Sequence, residues 1–361
     1  MSKNRYGYID SLRAIAALLV VWLHTAEVFL APSGGRIGSS PLFDLAYYLD
    51  FGRVGVVIFF IVSGFVIPSS LKGEVPSGLR NFVVKRFFRL YPLYWASIPF
   101  GILALWTIWN KPVSLGLVLS NLTMIQSLFD QELIIGLYWT LTVELLFYFL
   151  CAALFYLGLL KSEKALSVIL MAFLSFSFTF FNFANVGHFE TFDFFHVTRY
   201  GSYTLTYMGF MFLGALLRKW LSDEGIGWWG KCAISIFIIT WMWQSIHASI
   251  DYINEAGSYE ALKNTLRYNI AIATFLLMTT IFKIQSKSIA WLGVISYSIY
   301  LIHPIVMYSL FWLTRYDAFH GWSMSAYILS VMLMTIALSY FSYRFIEVPF
   351  IDIGNKIAKK K

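Results

Sequence analysis

The chain has 361 residues, of which 59% are hydrophobic, 19% are aromatic and only 13% are charged. A soluble protein of this composition would expose large apolar patches, so we exclude a soluble enzyme, a disordered chain and a fibrous protein. The net charge of +8 fits Lys and Arg facing an anionic membrane leaflet better than it fits a nucleic-acid partner. The two cysteines, Cys151 and Cys232, lie in or beside apolar runs and predict neither a disulfide nor a thiolate metal site.

Ten apolar segments are long enough, at about 17–25 residues each, to cross a bilayer. An eleventh, 113–129, is more polar. If it does not cross and the N-terminus is cytoplasmic, 20 of the 27 Lys and Arg lie on the cytoplasmic side, whereas crossing would leave 15 outside. We therefore predict an all-α polytopic membrane bundle of about ten transmembrane helices, with 113–129 as a re-entrant or interfacial segment. The predicted spans are 12–31, 52–71, 88–109, 137–159, 165–183, 202–218, 232–248, 267–283, 290–313 and 324–346.

The same charge pattern predicts a protein of the cytoplasmic (inner) membrane with both termini in the cytoplasm. The first span is too long for the apolar region of a signal peptide and contains His24 and Glu27, so we predict that it is retained. Residues 1–350 are predicted to form one transmembrane domain, and 351–361 a short basic cytoplasmic tail.

Two ionisable residues, Arg13 and His24, lie in the first span. An ionisable group at bilayer depth costs at least ~2.5–3.5 kcal/mol, which makes it a candidate functional residue. Eleven residues of helix place the two side chains on one stripe, roughly 16 Å apart. The alternative is an Arg that reaches to the interface and a His that is hydrogen-bonded inside the bundle.

The next polar cluster precedes the third span. Arg86 and Arg89 lie three residues apart, hence on one helix face, where two guanidinium groups could clamp a phosphate. Their alternative role is to fix the topology, and we favour that role for their neighbour Lys85. Ser63 and Gly64, in the second span, are small enough to admit a close helix or a ligand.

Glu144 lies about seven residues into the fourth span, in an otherwise apolar helix that Trp139 begins. A buried carboxylate can orient an imidazole and raise its basicity, so Glu144 is a candidate partner of His24. The alternative is a structural ion pair with an arginine such as Arg53 or Arg199.

Tyr300 and His303 share a helix face in the ninth span, and Pro304 frees backbone carbonyls there. From the residues alone, His303 is better explained as a satisfied core histidine than as a catalytic one. His188 and His196 lie in an outer loop, and their spacing matches no zinc pattern, so we predict no metal site.

Taken together, these clusters resemble the bacterial acyltransferase-3 family of membrane O-acyltransferases over nearly the whole chain. The family's "Trp-Ser-Leu-x-x-Glu" run appears here with Thr140 in place of the serine. The matching positions are Arg13 and His24 (Arg-ten residues-His), Arg86 and Arg89 (Arg-x-x-Arg), Trp139, Glu144, Phe147 and Tyr148, the run 295–303, and the terminal Arg-Phe-Ile-Glu-x-Pro at 344–349.

This resemblance implies acetyl-CoA or another acyl-CoA as the cytoplasmic donor, and a sugar hydroxyl of a surface polysaccharide or its lipid-linked precursor as the acceptor. It implies His24 and Glu144 as catalytic residues. Arg13, Arg86 and Arg89 would hold the phosphates of the donor, and Trp139, Tyr300, His303 and Ser63 would contact the substrates. Other partners would be the lipid bilayer and a second copy of the chain or other glycan-assembly proteins, with no nucleic acid.

A transporter or flippase for a lipid-linked sugar or small solute would explain ten spans and a polar core equally well. We see no inverted hydropathy repeat, which slightly disfavours that alternative. The sequence does not identify the acyl group or the acceptor glycan.

Overall fold

The computed structural model of the chain describes residues 7–35, 38, 40–129, 131–183, 199–222 and 225–359. Every regular element within these residues is helical. The α-helices are α1 (Gly7–Phe29), α2 (Pro41–Tyr48), α3 (Phe51–Val66), α4 (Val75–Leu105), α5 (Leu115–Leu122), α6 (Tyr138–Tyr156), α7 (Glu163–Phe183), α8 (Arg199–Trp220), α9 (Trp228–Ile253), α10 (Tyr259–Thr280), α11 (Lys287–Val294), α12 (Ser296–Leu313), α13 (Met324–Ser342) and α14 (Val348–Lys359).

The predicted all-α membrane fold is confirmed, since a helix lies on each of the ten predicted spans. Within the described residues, seven helices are both long and apolar enough to cross a membrane. The other three, α7, α8 and α10, have 21 or 22 residues, which at ~1.5 Å per residue also matches a ~30 Å hydrocarbon core. The seven are Gly7–Phe29, Phe51–Ser70, Val75–Trp109, Tyr138–Tyr156, Trp228–Ile253, Ser296–Leu313 and Met324–Lys359.

The polar segment 113–129 is not a transmembrane helix, as predicted. Its helix α5 has eight residues, about 12 Å, which is too short to cross. Its C-terminal carbonyl groups accept hydrogen bonds from side chains of α4, including Tyr91 to Thr123 at 3.1 Å and Trp95 to Leu122 at 2.9 Å. The Asn121 side chain bonds three backbone groups, so its amide is satisfied inside protein.

The chain divides into two compact units. The first contains Met1–Ile58, Arg80–Thr142 and Ala273–Lys361, and the second contains Phe59–Leu79 and Val143–Ile272. In the first unit α1 is central and packs against α2, α11, α12 and α13. Gly293 of α11 meets the backbone carbonyl of Asp10, where a β-carbon would overlap that carbonyl. This glycine therefore permits the close α1–α11 contact.

In the second unit α7, α8 and α9 pack on one another. Gly64 of α3 lies against the backbone of Met211 in α8, and Gly214 of α8 lies against the backbone of Ile61. The prediction that a small residue beside Ser63 lets helices approach closely is thus confirmed for Gly64.

A carboxylate fixes the start of α9 within the second unit. Glu163 accepts hydrogen bonds from the backbone N–H groups of Gly227 (2.8 Å) and Gly230 (2.7 Å), which have no carbonyl partner within the helix because they lie at its start. Partial burial raises the pKa of Glu163. The two backbone donors, together with Lys219 and Lys231, lower it by more, so the pKa lies below its usual value. Lys219 also donates to the carbonyl of Lys161 at 2.9 Å, so the ends of α7, α8 and α9 meet.

We expect Glu163→Gln to lower the free energy of unfolding by about 1 kcal/mol at pH 7, since an amide offers one acceptor oxygen instead of two. A lowered carboxylate pKa stabilises the fold above the unfolded-state pKa, near 4.5, and the benefit is lost as the pH falls through the folded-state value. The difference from wild type should therefore disappear in acid. Thermal unfolding in detergent at pH 7 and at successively lower pH measures it, with exposed Glu132→Gln as the control. Equal stability of Glu163→Gln and wild type at pH 7 would contradict the assignment.

Candidate active site

Helix α1 carries the two ionisable residues predicted for the first span. Both Arg13 and His24 are partly exposed, whereas Ala17, Val20 and Val21 between them are buried. Eleven helical residues separate them by roughly 16 Å along one stripe. The helix thus has one end with a guanidinium group and one with an imidazole.

A carboxylate orients the His24 imidazole, and it belongs to Glu27. His24 Nδ1 lies 3.2 Å from Glu27 Oε2, and the two side chains are 31% and 43% exposed. Because a carboxylate only accepts, Nδ1 carries the proton, and in the neutral ring Nε2 keeps its lone pair. A β-carbon on Gly52 would lie 3.8 Å from Nε2, so this glycine leaves room beside that atom.

A second imidazole lies beside the first. The ring of His303 stacks on that of His24 with centroids 5.9 Å apart and planes at 13°, and His303 is fully buried. Its Nδ1 is 3.2 Å from the carbonyl oxygen of Ile299, so Nδ1 carries the proton there as well. Its Nε2 has no hydrogen-bond partner among the described residues. A buried imidazole with an unused acceptor is suited to a substrate hydroxyl.

Pro304 helps to set this arrangement without ending the helix, since α12 continues from Ser296 to Leu313. Proline has no N–H for the carbonyl of Tyr300, four residues earlier. That carbonyl interacts with the His303 imidazole instead. The prediction that Pro304 frees a backbone carbonyl is therefore confirmed.

Tyr300 connects the His303 imidazole to the start of α6. Its hydroxyl lies 2.9 Å from Thr140 Oγ1, and its ring lies 6.0 Å from that of His303 in an edge-on arrangement. Trp139, next to Thr140, is partly exposed. Threonine keeps the hydroxyl of the serine in the family motif, so this departure preserves the group that contacts Tyr300.

The arginine end of the first unit contains a buried carboxylate. Glu347 is 1% exposed and interacts electrostatically with Arg89 and Arg13. Arg86 lies one helical turn before Arg89, with its guanidinium carbon 5.5 Å from the Phe82 ring centroid. Arg13 of α1 and Arg89 of α4 thus both interact electrostatically with one carboxylate, which the spacing of residues did not predict.

Two predicted residues, Glu144 and Ser63, belong to the second unit. Glu144 Oε1 accepts a hydrogen bond from the Tyr148 hydroxyl at 2.5 Å, within one helical turn. The pairing of Glu144 with His24 stays a prediction, as do its alternative pairings. His188 and His196 lie outside the described residues, among which no three His, Cys, Asp or Glu side chains are grouped to bind a metal.

Sequence reasoning did not assign a role to Glu27 or Glu347. For Glu27 a signal was available, because an acidic residue three positions after His24 lies on the same helix face. Glu347 was visible only as part of the terminal motif, and its electrostatic interaction with the arginines involves helices that are far apart in sequence.

A family model described as an acyltransferase domain, that of the acyltransferase-3 family, matches residues 6–344. The chain is similar to Nodulation protein 10 of Rhizobium leguminosarum bv. viciae, with 24% identity over 397 residues that cover 100% of this chain and 97% of that protein. It is also similar to "Putative acetyltransferase ORF330" of Acidianus two-tailed virus, with 25% identity over 324 residues, 85% of this chain and 84% of that protein. No solved structure matches the chain significantly. Because the family match covers residues 6–344 of 361, the chain is a membrane acyltransferase that belongs to the acyltransferase-3 family.

Proposed function

We propose that the protein transfers an acyl group, most simply acetyl, from cytoplasmic acyl-CoA to a sugar hydroxyl of a surface polysaccharide or its lipid-linked precursor. The observation that carries this proposal is the Glu27–His24 pair stacked on His303, in the same unit as Arg13 and Arg89. A base that can accept a proton from a hydroxyl is what O-acyl transfer needs. The acetyltransferase named among the relatives supports acetyl as the group.

The donor is proposed to bind at the arginine end. Guanidinium groups suit phosphate because they donate in a planar fork, and Arg13, Arg86 and Arg89 supply three of them. The extended pantetheine arm of CoA would then bridge the roughly 16 Å from Arg13 to His24 along α1. Its thioester would reach the imidazoles of His24 and His303 while its phosphates stay bound to the arginines.

At the imidazole end, His24 Nε2 acts as the general base. It takes the proton of the acceptor hydroxyl as the hydroxyl oxygen forms a bond to the thioester carbonyl carbon. The carbon–sulfur bond then breaks, and the CoA thiolate recovers the proton from the imidazolium. Glu27 stabilises the imidazolium that forms in between.

Neighbouring side chains of the first unit would orient the acceptor. His303 Nε2 can accept a hydrogen bond from a second sugar hydroxyl, and Trp139 and Tyr300 provide aromatic surface of the kind that packs on sugar rings. The predicted roles of Glu144 as a further acid or base and of Ser63 as a substrate contact rest on the family resemblance alone. The residues need no metal for these steps.

The proposed setting is the cytoplasmic membrane with both termini in the cytoplasm. Besides the charge asymmetry of the loops, the contact of Lys219 with Lys161 and of Glu163 with Gly227 supports it, because these residues belong to two loops predicted to be cytoplasmic. The acceptor glycan and any partner subunit are proposed on the family resemblance, and membership of an acyltransferase family favours an enzyme over a carrier.

Incubation of the purified protein in lipid nanodiscs with labelled acetyl-CoA tests the activity. The acceptor is envelope glycan and lipid-linked saccharide extracted from a strain that lacks the gene. We expect label on the glycan, released by mild base as expected for an ester. Solute flux through proteoliposomes without any transfer of label would support the carrier and contradict the proposal.

A further inference from the structure

A five-residue π-helical turn, Tyr343–Glu347, interrupts the path from α13 to α14 and ends on a buried carboxylate. Such turns are uncommon and are found frequently at functional sites. A carboxylate that is 1% exposed also carries a desolvation cost, which demands compensation from its neighbours. The position of Glu347 therefore needs a physical explanation.

Three sets of contacts within the first unit bring the helices together at this position. Phe350 of α14 stacks on Phe88 of α4 with centroids 6.5 Å apart, and Gly354 lies against the same Phe88. The Tyr297 hydroxyl of α12 donates to the carbonyl of Leu90 at 2.7 Å. Phe88 and Leu90 flank Arg89, so α12 and α14 both contact α4 beside that arginine.

The third contact involves α1, whose Asp10 carbonyl meets Gly293 of α11 one turn before Arg13. These contacts place α1 and α4, each with an arginine, beside the elements that hold the π-helical turn. Both arginines interact electrostatically with Glu347, Arg89 more strongly than Arg13.

The carboxylate itself is held from one side. Its Oε1 accepts a hydrogen bond from the Ser298 hydroxyl, which in turn accepts one from Ser342 at 3.0 Å. Its Oε2 has no hydrogen-bond partner in the described part of the chain.

We propose that Glu347 is the internal counter-anion of the donor-binding arginines and that the phosphates of acyl-CoA compete with it for Arg13 and Arg89. The proposal rests on the proposed function for the identity of the donor. With no donor bound, the carboxylate offsets part of the positive charge of Arg13 and Arg89 in the membrane protein. With donor bound, its repulsion of the phosphates weakens binding, so that free CoA can leave after each turnover.

The test compares the dissociation constant of CoA, measured by calorimetry, for wild type, Glu347→Gln, Glu347→Asp and Asp352→Asn. Glutamine keeps an acceptor for Ser298 and removes the charge. We expect it to bind CoA about 5- to 10-fold more tightly than wild type and to lower kcat and the KM for acyl-CoA together. Glu347→Asp, which keeps the charge, and Asp352→Asn, which removes an exposed carboxylate five residues later, should stay within about twofold.

Unchanged or weaker CoA binding by Glu347→Gln would overturn the proposal, even if the enzyme acylates glycans as expected. If wild type binds no CoA, it is the proposed donor that fails. If Glu347→Gln does not accumulate in membranes, we measure the membrane level of the double variant Arg89→Gln/Glu347→Gln. Recovery of its level supports charge balance between the two residues, and no recovery contradicts it.

Discussion

Replacement of His24 by alanine should lower the rate of acyl transfer by about 10²–10⁴-fold, the usual contribution of a general base, while the protein still inserts. The side chain is partly exposed, and its Nδ1 is held by Glu27 at 3.2 Å, so its Nε2 is the atom positioned to take a proton. Glu27→Gln should retain His24 but remove the charge that stabilises the imidazolium, and its loss should be smaller. Initial rates with labelled acetyl-CoA, at equal amounts of protein in membranes, measure both effects.

The matched control for this experiment is His247→Ala. His247 also pairs through Nδ1 with a carboxylate, that of Asp251 at 2.9 Å, but it is 63% exposed and lies in the second unit. We expect it to keep wild-type activity. Full activity of His24→Ala at an equal protein level would eliminate His24 as the base, and an equal loss in His247→Ala would indicate a general effect on folding.

Replacement of Arg89 by alanine is expected to raise the KM for acyl-CoA about 10- to 100-fold and leave the KM for the acceptor nearly unchanged. A charged hydrogen bond to phosphate contributes about 1.5–3 kcal/mol, which corresponds to that range. Arg86→Ala should act in the same direction, since its guanidinium group lies one turn away on the same helix. Kinetics at varied concentrations of each substrate separate the two constants.

Lys85 provides the control, because it is exposed on the same helix, adjacent to Arg86, and has no proposed contact with the donor. Lys85→Ala should leave both KM values within about twofold. One contrary result is that Arg86→Ala and Arg89→Ala raise the KM for donor and acceptor equally, and another is that Lys85→Ala raises the KM for the donor as much as they do. Either result would mean that the arginines only determine the orientation of the protein in the membrane.

The helices could be predicted where apolar length and loop charge determine them. All ten predicted spans are helical because an apolar segment in lipid must satisfy its own backbone hydrogen bonds. The same criterion misses α2, which has eight residues, and the first turns of α4, which begins at Val75 rather than near 88. This criterion also does not predict that residues 290–313 form two helices joined at Ile295.

Sequence periodicity predicts which candidate residues share a helix, but not which helices pair. Arg13 and His24 both lie on α1, and Tyr300 and His303 both lie on α12. The stack of His24 on His303 and the shared carboxylate of Arg13 and Arg89 depend on tertiary packing. Motif spacing contains no information about such contacts between distant helices.

The proposed reaction esterifies a sugar hydroxyl on a surface glycan. Mass spectrometry of surface glycans from a deletion strain, complemented with wild type or with His24→Ala, detects the product of this reaction in the cell. We predict that deletion removes an acyl mass from the glycan, that wild type restores it and that His24→Ala does not. An identical set of glycan masses in the deletion and wild-type strains would contradict the proposed reaction.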